Sequence, residues 1–306
     1  SSDLIDGDIV VFRCGFAAER KEWHLHVPKD KNGNEYTGRF EYKREAMDKL
    51  DDLLPGKMSR VEDEDYKLFP ETILEPLSHA LNNVRTLIKK LADANSLNEF
   101  DLKVYLSKGQ NYRHRVAVTR PYKGNRDNLH RPTYEEDIRN YIIENYDTTV
   151  ADDEEADDLL GIAATQAGPH GAVIISLDKD LDQIPGLKYN WLHEVAYDVP
   201  ENRAWYNFCV QLMTGDSTDN IPGLPGIGPG KAQKALHGLE DDPQSMMEEV
   251  VRMYQIHSGK DDWYEYLKEQ GQLVYIRRKV GEMWEPPIDA EDPYMIDGLE
   301  GDLYDD

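Results

Sequence analysis

Short apolar runs that end in acid, separated by segments of helical period, constrain this fold more than any other feature. "DLIDGDIVVFRC" opens with a strand, followed by Asp6 and Asp8. "FDLKVYLS" reads as a second buried strand. "GAVIISLDKDLDQI" is the clearest, running into Asp178, Asp180 and Asp182. Between them, "ILEPLSHALNNVRTLIKKLADA" places Leu77, Leu81, Val84, Leu87, Ile88 and Leu91 on one helical face. "RPTYEEDIRNYIIENYD" has helical period through Ile138, Tyr141 and Ile142. "DDEEADDLLGIAATQAG" starts another helix, stopped at Gly168 and Pro169. "LKYNWLHEVAYDV" adds one or two strands. Strand and helix alternate to about Val199, which predicts an α/β fold: a mostly parallel central sheet flanked by helices. "HLHVPKDKNGNEYTGRFEYKREA" carries an Asn-Gly hairpin signal.

From about Ala204 the pattern is mainly helical. The expected organisation is an α/β core over 1–203 with a possible insertion at 20–74, a helical region over 204–285, and an acidic peripheral tail over 286–306. The 306 residues are 39% apolar, enough for a substantial core. No run reaches membrane-spanning length and no secretory signal opens the chain. Cys14 and Cys209 lie in apolar settings and read as buried thiols. Together these lead to the expectation of a cytoplasmic protein, in the host-cell cytoplasm if phage-encoded, with no membrane partner.

The formal charge of −25 alone argues against a nucleic-acid partner. Its distribution qualifies that. Residues 147–158 carry seven acids, and 286–306 carry eight with no Lys or Arg. Residues 103–131 carry eight Lys and Arg against one Asp, a basic strip in an acidic chain.

Ligands in open α/β sheets gather beyond the carboxyl ends of strands. Asp6 and Asp8, the group Glu154, Glu155, Asp157 and Asp158, and the group Asp178 and Asp180 all fall at such ends or at a helix start. Helix capping would explain any one cluster. Three clusters brought together by the sheet repel one another unless cations neutralise them. The donors are all oxygen, which suits Mg²⁺ or Mn²⁺. Two such ions can activate water and stabilise a leaving oxygen in phosphoryl hydrolysis. "GDSTDNIPGLPGIGPGKAQKAL" adds Asp216 and Asp219, expected on one helical turn. A tight glycine loop with Gly226, Gly228 and Gly230 then enters a helix carrying Lys231 and Lys234, suited to a nucleic-acid backbone. It lacks the spacing and hydroxyl of a nucleotide P-loop.

"DGDIVVFR", "NYRHRVAVTRPYKGNRD", "EEADDLLG", "IISLDKDLD" and "GDSTDNIPGLPGIGPGKA" occur in one order over about 6–236. In that order they resemble the five-prime nuclease or flap-endonuclease superfamily, in its bacteriophage exonuclease branch. The resemblance implies a PIN-like nuclease core with a helix-turn-helix-like DNA clamp. It implies hydrolysis of phosphodiesters at or near 5′ ends, on duplex DNA with a nick, gap or flap, and on RNA paired to DNA. It implies that Asp6, Glu155, Asp157, Asp158, Asp178, Asp180, Asp216 and Asp219 hold or surround two divalent ions, with Asp8 replacing Asp6 if the strand register slips. Lys123 and Arg113 would act at the scissile phosphate beside Asp157 and Asp158. Tyr122 would stack on the terminal nucleotide and Arg126 would bind the backbone. The glycine segment would grip duplex with a K⁺ ion. A replication or repair polymerase is the implied protein partner.

One position departs from the pattern. After "KVYL" the family presents an Asp, whereas this chain has Ser107 and Lys108. That motivates a rival reading, a catalytically impaired DNA-end or flap-binding protein. A small-phosphate hydrolase built on "DKD" is a second rival, and an endonuclease with little end resection a third.

Overall fold

The computed structural model describes residues 3–56, 65–94, 102–126 and 129–287. The acidic stretch 288–306 and most of the acids at 63–65 lie outside the described residues. In chain order the elements are β1 (Asp3–Asp6), α1 (Gly7–Phe16), β2 (Glu19–Val27), β3 (Tyr36–Phe40), α2 (Lys43–Leu53), β4 (Lys67–Leu74), α3 (Leu77–Ala94), β5 (Leu102–Leu106), α4 (Arg113–Val116) and α5 (Glu135–Asn145). There follow β6 (Asp147–Val150), α6 (Ala156–Ala167), β7 (Val173–Ile175), β8 (Gly186–Asn190), β9 (Val195–Val199), α7 (Glu201–Thr214), α8 (Pro229–Ala235), α9 (Pro243–His257) and α10 (Trp263–Val274). No helix among the described residues is long and apolar enough to cross a membrane.

The chain forms two compact units. The first comprises 1–9, 91–130 and 145–306; the second comprises 10–90 and 131–144. In the first, six strands form one sheet in the order β6-β5-β1-β7-β8-β9. All neighbours are parallel except the edge pair β8 and β9. The α/β class read from the sequence therefore holds. All four residues of β1 are buried, as a central parallel strand requires. The register sets Asp6 opposite Tyr105 and Ile5 opposite Ile175, so the carboxyl ends of β1, β5 and β7 lie level.

Helix α6 covers these strands with Leu160, Ala156 and Ala164, which pack with Leu4, Ile174 and Leu181. Gly161 lets the 276–277 segment approach: a Cβ there would lie 2.5 Å from the Arg277 carbonyl oxygen and 2.9 Å from the Ile276 side chain. The helices α7, α9 and α10 build a second core around Phe208, Leu212, Met246, Val250, Tyr254 and Leu267. The predicted helical stretch after Ala204 thus packs in the same unit as the sheet.

In the second unit β2 and β3 pair antiparallel, with Gly33 of the Asn-Gly step at φ +84°. The connecting loop is tied by Asp30, which accepts from the backbone N–H groups of Asn32 and Asn34 at 2.8 Å each. Strand β4 joins the other side of β2, and Leu25, Val27, Leu50 and Tyr66 fill the small core. The sequence pattern does not reveal β4, because Pro70 interrupts it. An edge strand tolerates a proline that a central one does not. Nor does it separate β6, a four-residue edge strand, from the end of α5.

Replacing Gly161 by Ala is expected to cost about 1–3 kcal/mol of stability, because the methyl group must displace backbone rather than a flexible side chain. Urea unfolding followed by circular dichroism measures it.

Candidate active site

Asp6 closes β1 and is 4% exposed. Its carboxylate accepts from the Ser176 hydroxyl at 2.8 Å, just past β7, and from the Ile9 N–H at 3.3 Å. Asp8, in the first turn of α1, accepts from the Ser107 N–H at 3.1 Å. Ser107 and Lys108 are the two positions where the resemblance leads one to expect a carboxylate. The Ser107 hydroxyl instead accepts from the Ala156 N–H at 2.9 Å, at the start of α6. Lys108 turns to Asp152 at 3.3 Å.

The four acids of "EEADD" separate in role once folded. Glu155 is the N-cap of α6 and Asp158 its N3 residue, and the two form a reciprocal capping box. Asp158 is fully buried and receives both arms of the Arg113 guanidinium, at 2.6 and 2.9 Å. Arg113 also donates to the carbonyls of Leu273 and Tyr275, at 2.9 and 2.8 Å. The Arg277 N–H takes a further place on Asp158, at 3.1 Å. The expectation from the sequence puts Asp158 among the ion ligands and Arg113 at the phosphate. In the structure the two pair with each other inside the protein, and Arg113 is 3% exposed.

Glu155 faces the other way. Lys123 Nζ lies 2.5 Å from Oε1, and the Tyr122 hydroxyl donates to Oε2 at 2.8 Å. Burial would raise its pKa, but Arg113 and Lys123 hold it down at about 2. The same Tyr122 oxygen lies 2.7 Å from Asp219, so its single proton serves one of the two carboxylates at a time; Asp219 also lies 3.6 Å from Lys123 Nζ and pairs with Arg126. Lys123 has φ +55°, and its N–H donates to the Asp219 carbonyl at 2.9 Å. Tyr122 is 4% exposed within the helical core. Its ring is packed inside that core, and its hydroxyl lies between Glu155 and Asp219.

Asp216 and Asp219 do not share a helical turn. The segment between them is a tight loop closed by Asp216 N–H to the Ile221 carbonyl at 2.9 Å and Ile221 N–H to the Asp216 carbonyl at 2.7 Å. Gly215 and Gly223, at φ +68° and +60°, let its two stems touch through backbone, which no Cβ would permit. Gly226, Gly228 and Gly230 have open space where a Cβ would stand, and Gly228 caps α8. Lys231 and Lys234 are exposed on that helix, and Lys231 donates to the Gly226 carbonyl at 3.0 Å.

The remaining carboxylates act on one another. Burial, then Asp8 and Asp178, push Asp6 up to about 7. Burial, then Asp178, Asp216 and Asp219, push Asp180 up to about 7 against a hydrogen bond from Gln211. Asp157 is raised well above the carboxylate range by burial, Asp6, Asp178 and Glu155. Asp178 is raised by desolvation, Asp219 and Asp216. Acids from β1, α6, the end of β7 and the 216–219 loop thus share one electrostatic field. That hard-oxygen set fits a divalent cation, whose charge would relieve the repulsion. Among the described residues, no three His, Cys, Asp or Glu side chains are drawn close enough to form a ready-made cage. Lys123 and Arg126 draw Glu155 and Asp219 to themselves.

The basic strip is mostly neutralised. Lys108, Arg113, Arg115, Lys123, Arg126 and Arg131 pair with Asp152, Asp158, Asp153, Glu155, Asp219 and Glu135. Sequence reasoning does not find these pairings, most of which join residues far apart in the chain. Nor does it find Ser176 and Gln211, whose types carry no signal alone.

The fold and site define a class: an open parallel α/β sheet whose strand ends gather carboxylates beside a lysine, with a glycine turn leading into a short helix. Relatives make it specific. The chain is 33% identical over 115 residues to the flap endonuclease Xni of Shewanella piezotolerans, covering 33% of this chain and 44% of that enzyme. It is 33% identical over 94 residues to the exodeoxyribonuclease of Enterobacteria phage T3, covering 29% of each. It is 34% identical over 113 residues to DNA polymerase I of Rhizobium leguminosarum, covering 33% of this chain and 11% of that one. The chain is thus similar to a flap endonuclease, an exodeoxyribonuclease and a DNA polymerase I, and it spans less than half the length of these three relatives. No family model matches it. The structure of the T5 D15 protein co-crystallized with metal ions gives a TM-score of 0.49 at 19% identity, covering 63% of this chain and 80% of that one.

The buried pair and the raised carboxylates each have a measurable consequence. Asp158→Ala is expected to lose about 3–5 kcal/mol of stability, because it strands the Arg113 charge in the interior; chemical denaturation reads this directly. In chelator, the folded protein binds more protons than the unfolded chain between the ordinary carboxylate range and about 7, because Asp6 and Asp180 are raised. Stability should therefore fall as pH rises through that window. Mn²⁺ should flatten the fall, as seen in thermal melts at several pH values.

Proposed function

We propose that this chain is a nuclease that depends on Mg²⁺ or Mn²⁺ and hydrolyses DNA phosphodiesters at or near 5′ ends, as a 5′-to-3′ exonuclease with flap endonuclease activity. The observation that carries this reading is the shared field of Asp6, Asp157, Asp178 and Asp180 beyond the strand ends, with Lys123 at its margin. The names of the relatives, flap endonuclease and exodeoxyribonuclease, support the substrate class.

In this reading Asp6, Asp157, Asp178, Asp180 and Asp216 would hold two divalent ions, with Glu155 and Asp219 completing the set, and the ions would supply Lewis acidity for phosphodiester hydrolysis. Lys123 carries its charge into the site from a backbone fixed by Asp219, and exchanges Glu155 for a phosphoryl oxygen when substrate arrives. Tyr122 keeps Glu155 and Asp219 apart at a fixed span. Arg113 and Asp158 are positioning residues that fix the start of α6. Arg126 lends charge at the rim. Gly226, Gly228, Gly230, Lys231 and Lys234 hold the duplex backbone, with K⁺ at the turn. The products carry a 5′ phosphate and a 3′ hydroxyl. RNA in RNA–DNA hybrids is a second substrate, and a replication or repair polymerase in the cytoplasm, or in a phage's host, is the working partner. The domain scheme of a 1–203 core, a 204–285 DNA-binding region and a 286–306 tail belongs to the same proposal.

A second reading is favoured by Ser107 and Lys108 standing where a carboxylate is expected: a protein that binds flaps without turning them over. Cleavage of 5′-labelled blunt, nicked, gapped and flap substrates separates the two. With Mg²⁺ or Mn²⁺, wild type should release short 5′ products, and chelator should abolish them. Lys123→Ala and Asp157→Ala should each lose at least ~100-fold in rate. Binding without cleavage across both ions selects the second reading. Unchanged rates in both variants refute the assigned roles.

A further inference from the structure

We infer that Arg120 and Lys260 form a phosphate-binding ledge for a nucleic-acid strand, and that Glu269 holds it in position. This rests on the proposed nuclease reading and adds a binding element that the sequence motifs do not contain.

The chain carries 60 acidic against 35 basic side chains, and most cations of the 103–131 strip are spent on internal carboxylates. Arg120 and Lys260 are exposed, and neither has a carboxylate partner among the described residues. The surroundings of Lys260 hold it without cancelling its charge. The Lys260 ammonium donates to the Thr119 hydroxyl at 3.2 Å and lies 3.9 Å from the centre of the Tyr266 ring. A hydroxyl and a ring face orient a cation but leave its net charge available. The charge of Arg120, in the same loop as Thr119, is felt at the same tyrosine.

That tyrosine is tied to the glycine turn, because the Tyr266 hydroxyl donates to the Gly223 carbonyl at 2.5 Å. The loop is held as firmly. One carboxylate, Glu269, 9% exposed, accepts from the N–H groups of Val118 and Thr119 at 2.6 Å each. Its second oxygen accepts from the Thr119 hydroxyl at 2.5 Å. Val118 stands 86% exposed at the tip of this loop, so its shape comes from Glu269 rather than from apolar packing. The loop leads through Pro121 into Tyr122 and Lys123. A strand whose phosphates crossed the ledge would be led toward that lysine. Two exposed cations on a braced loop and beside its aromatic neighbour match a phosphodiester strand, which presents repeated single charges.

The test is fluorescence anisotropy of a labelled 5′-flap DNA in Ca²⁺ over a salt series. Arg120→Ala with Lys260→Ala should weaken binding by ten-fold or more at low salt. It should lower the slope of log Kd against log salt by about two, near one for each phosphate that is no longer neutralised. Glu269→Gln should weaken binding in the wild-type background and add nothing in the double variant, because it acts through the loop that the cations share. A merely structural role for Glu269 would lower the melting temperature and weaken binding equally in both backgrounds. An unchanged salt slope in the Arg120→Ala, Lys260→Ala protein overturns the ledge even if Glu269→Gln does not fold, since the two cations are exposed. Wild-type protein that binds no DNA at all would instead refute the nuclease reading on which the ledge depends.

Discussion

The buried pair between Arg113 and Asp158 holds the first unit's site together. One guanidinium joins the segment after β5, the first turn of α6 and the C-terminal end of α10 through the carbonyls of Leu273 and Tyr275. An ion pair this deep is a poor source of net stability compared with apolar packing, but losing either partner leaves an uncompensated charge. Its effect is to specify. With Asp158 committed to Arg113, α6 has one way to start, and Glu155 and Asp157 are turned toward the strand ends. The capping box completes the arrangement without help from solvent.

The carboxylates that remain are arranged against their own interest. Asp6, Asp157, Asp178 and Asp180 stand in one another's field, whereas Glu155 is held ionised by Arg113 and Lys123. Ser107 softens the crowding at β5, where its N–H binds Asp8 and its hydroxyl binds the Ala156 N–H. The departure from the family pattern is thus structurally occupied: the position has no ligand of the expected type and makes two hydrogen bonds instead.

Much of the fold is legible in the sequence, because parallel strands buried on both faces leave apolar runs that end in polar residues. Strands β1, β5 and β7 and helices α3 and α6 follow from that pattern. Strands β4 and β6 escape it because they are edge strands, whose residues need not be apolar. At the site, the sequence singles out clusters of acids but not how their members divide between partners. Nothing local distinguishes Asp157 from Asp158; the distinction is made by Arg113, 45 positions away in the chain. Tyr122 shows the same limit, since its neighbours in sequence look like a surface strip while its ring lies in a core built by α7 and α9.

Lys123 sits in the left-handed region of backbone space at φ +55°, where a side chain with a Cβ is strained. Folding alone would favour glycine or asparagine at that position. The chain tolerates the strain in exchange for an ammonium group aimed inward from a fixed origin. Lys123→Gly should therefore relax the backbone even as it removes the charge, so this position sets conformational ease against chemical competence, and sequences tuned for thermal endurance would drift away from lysine here.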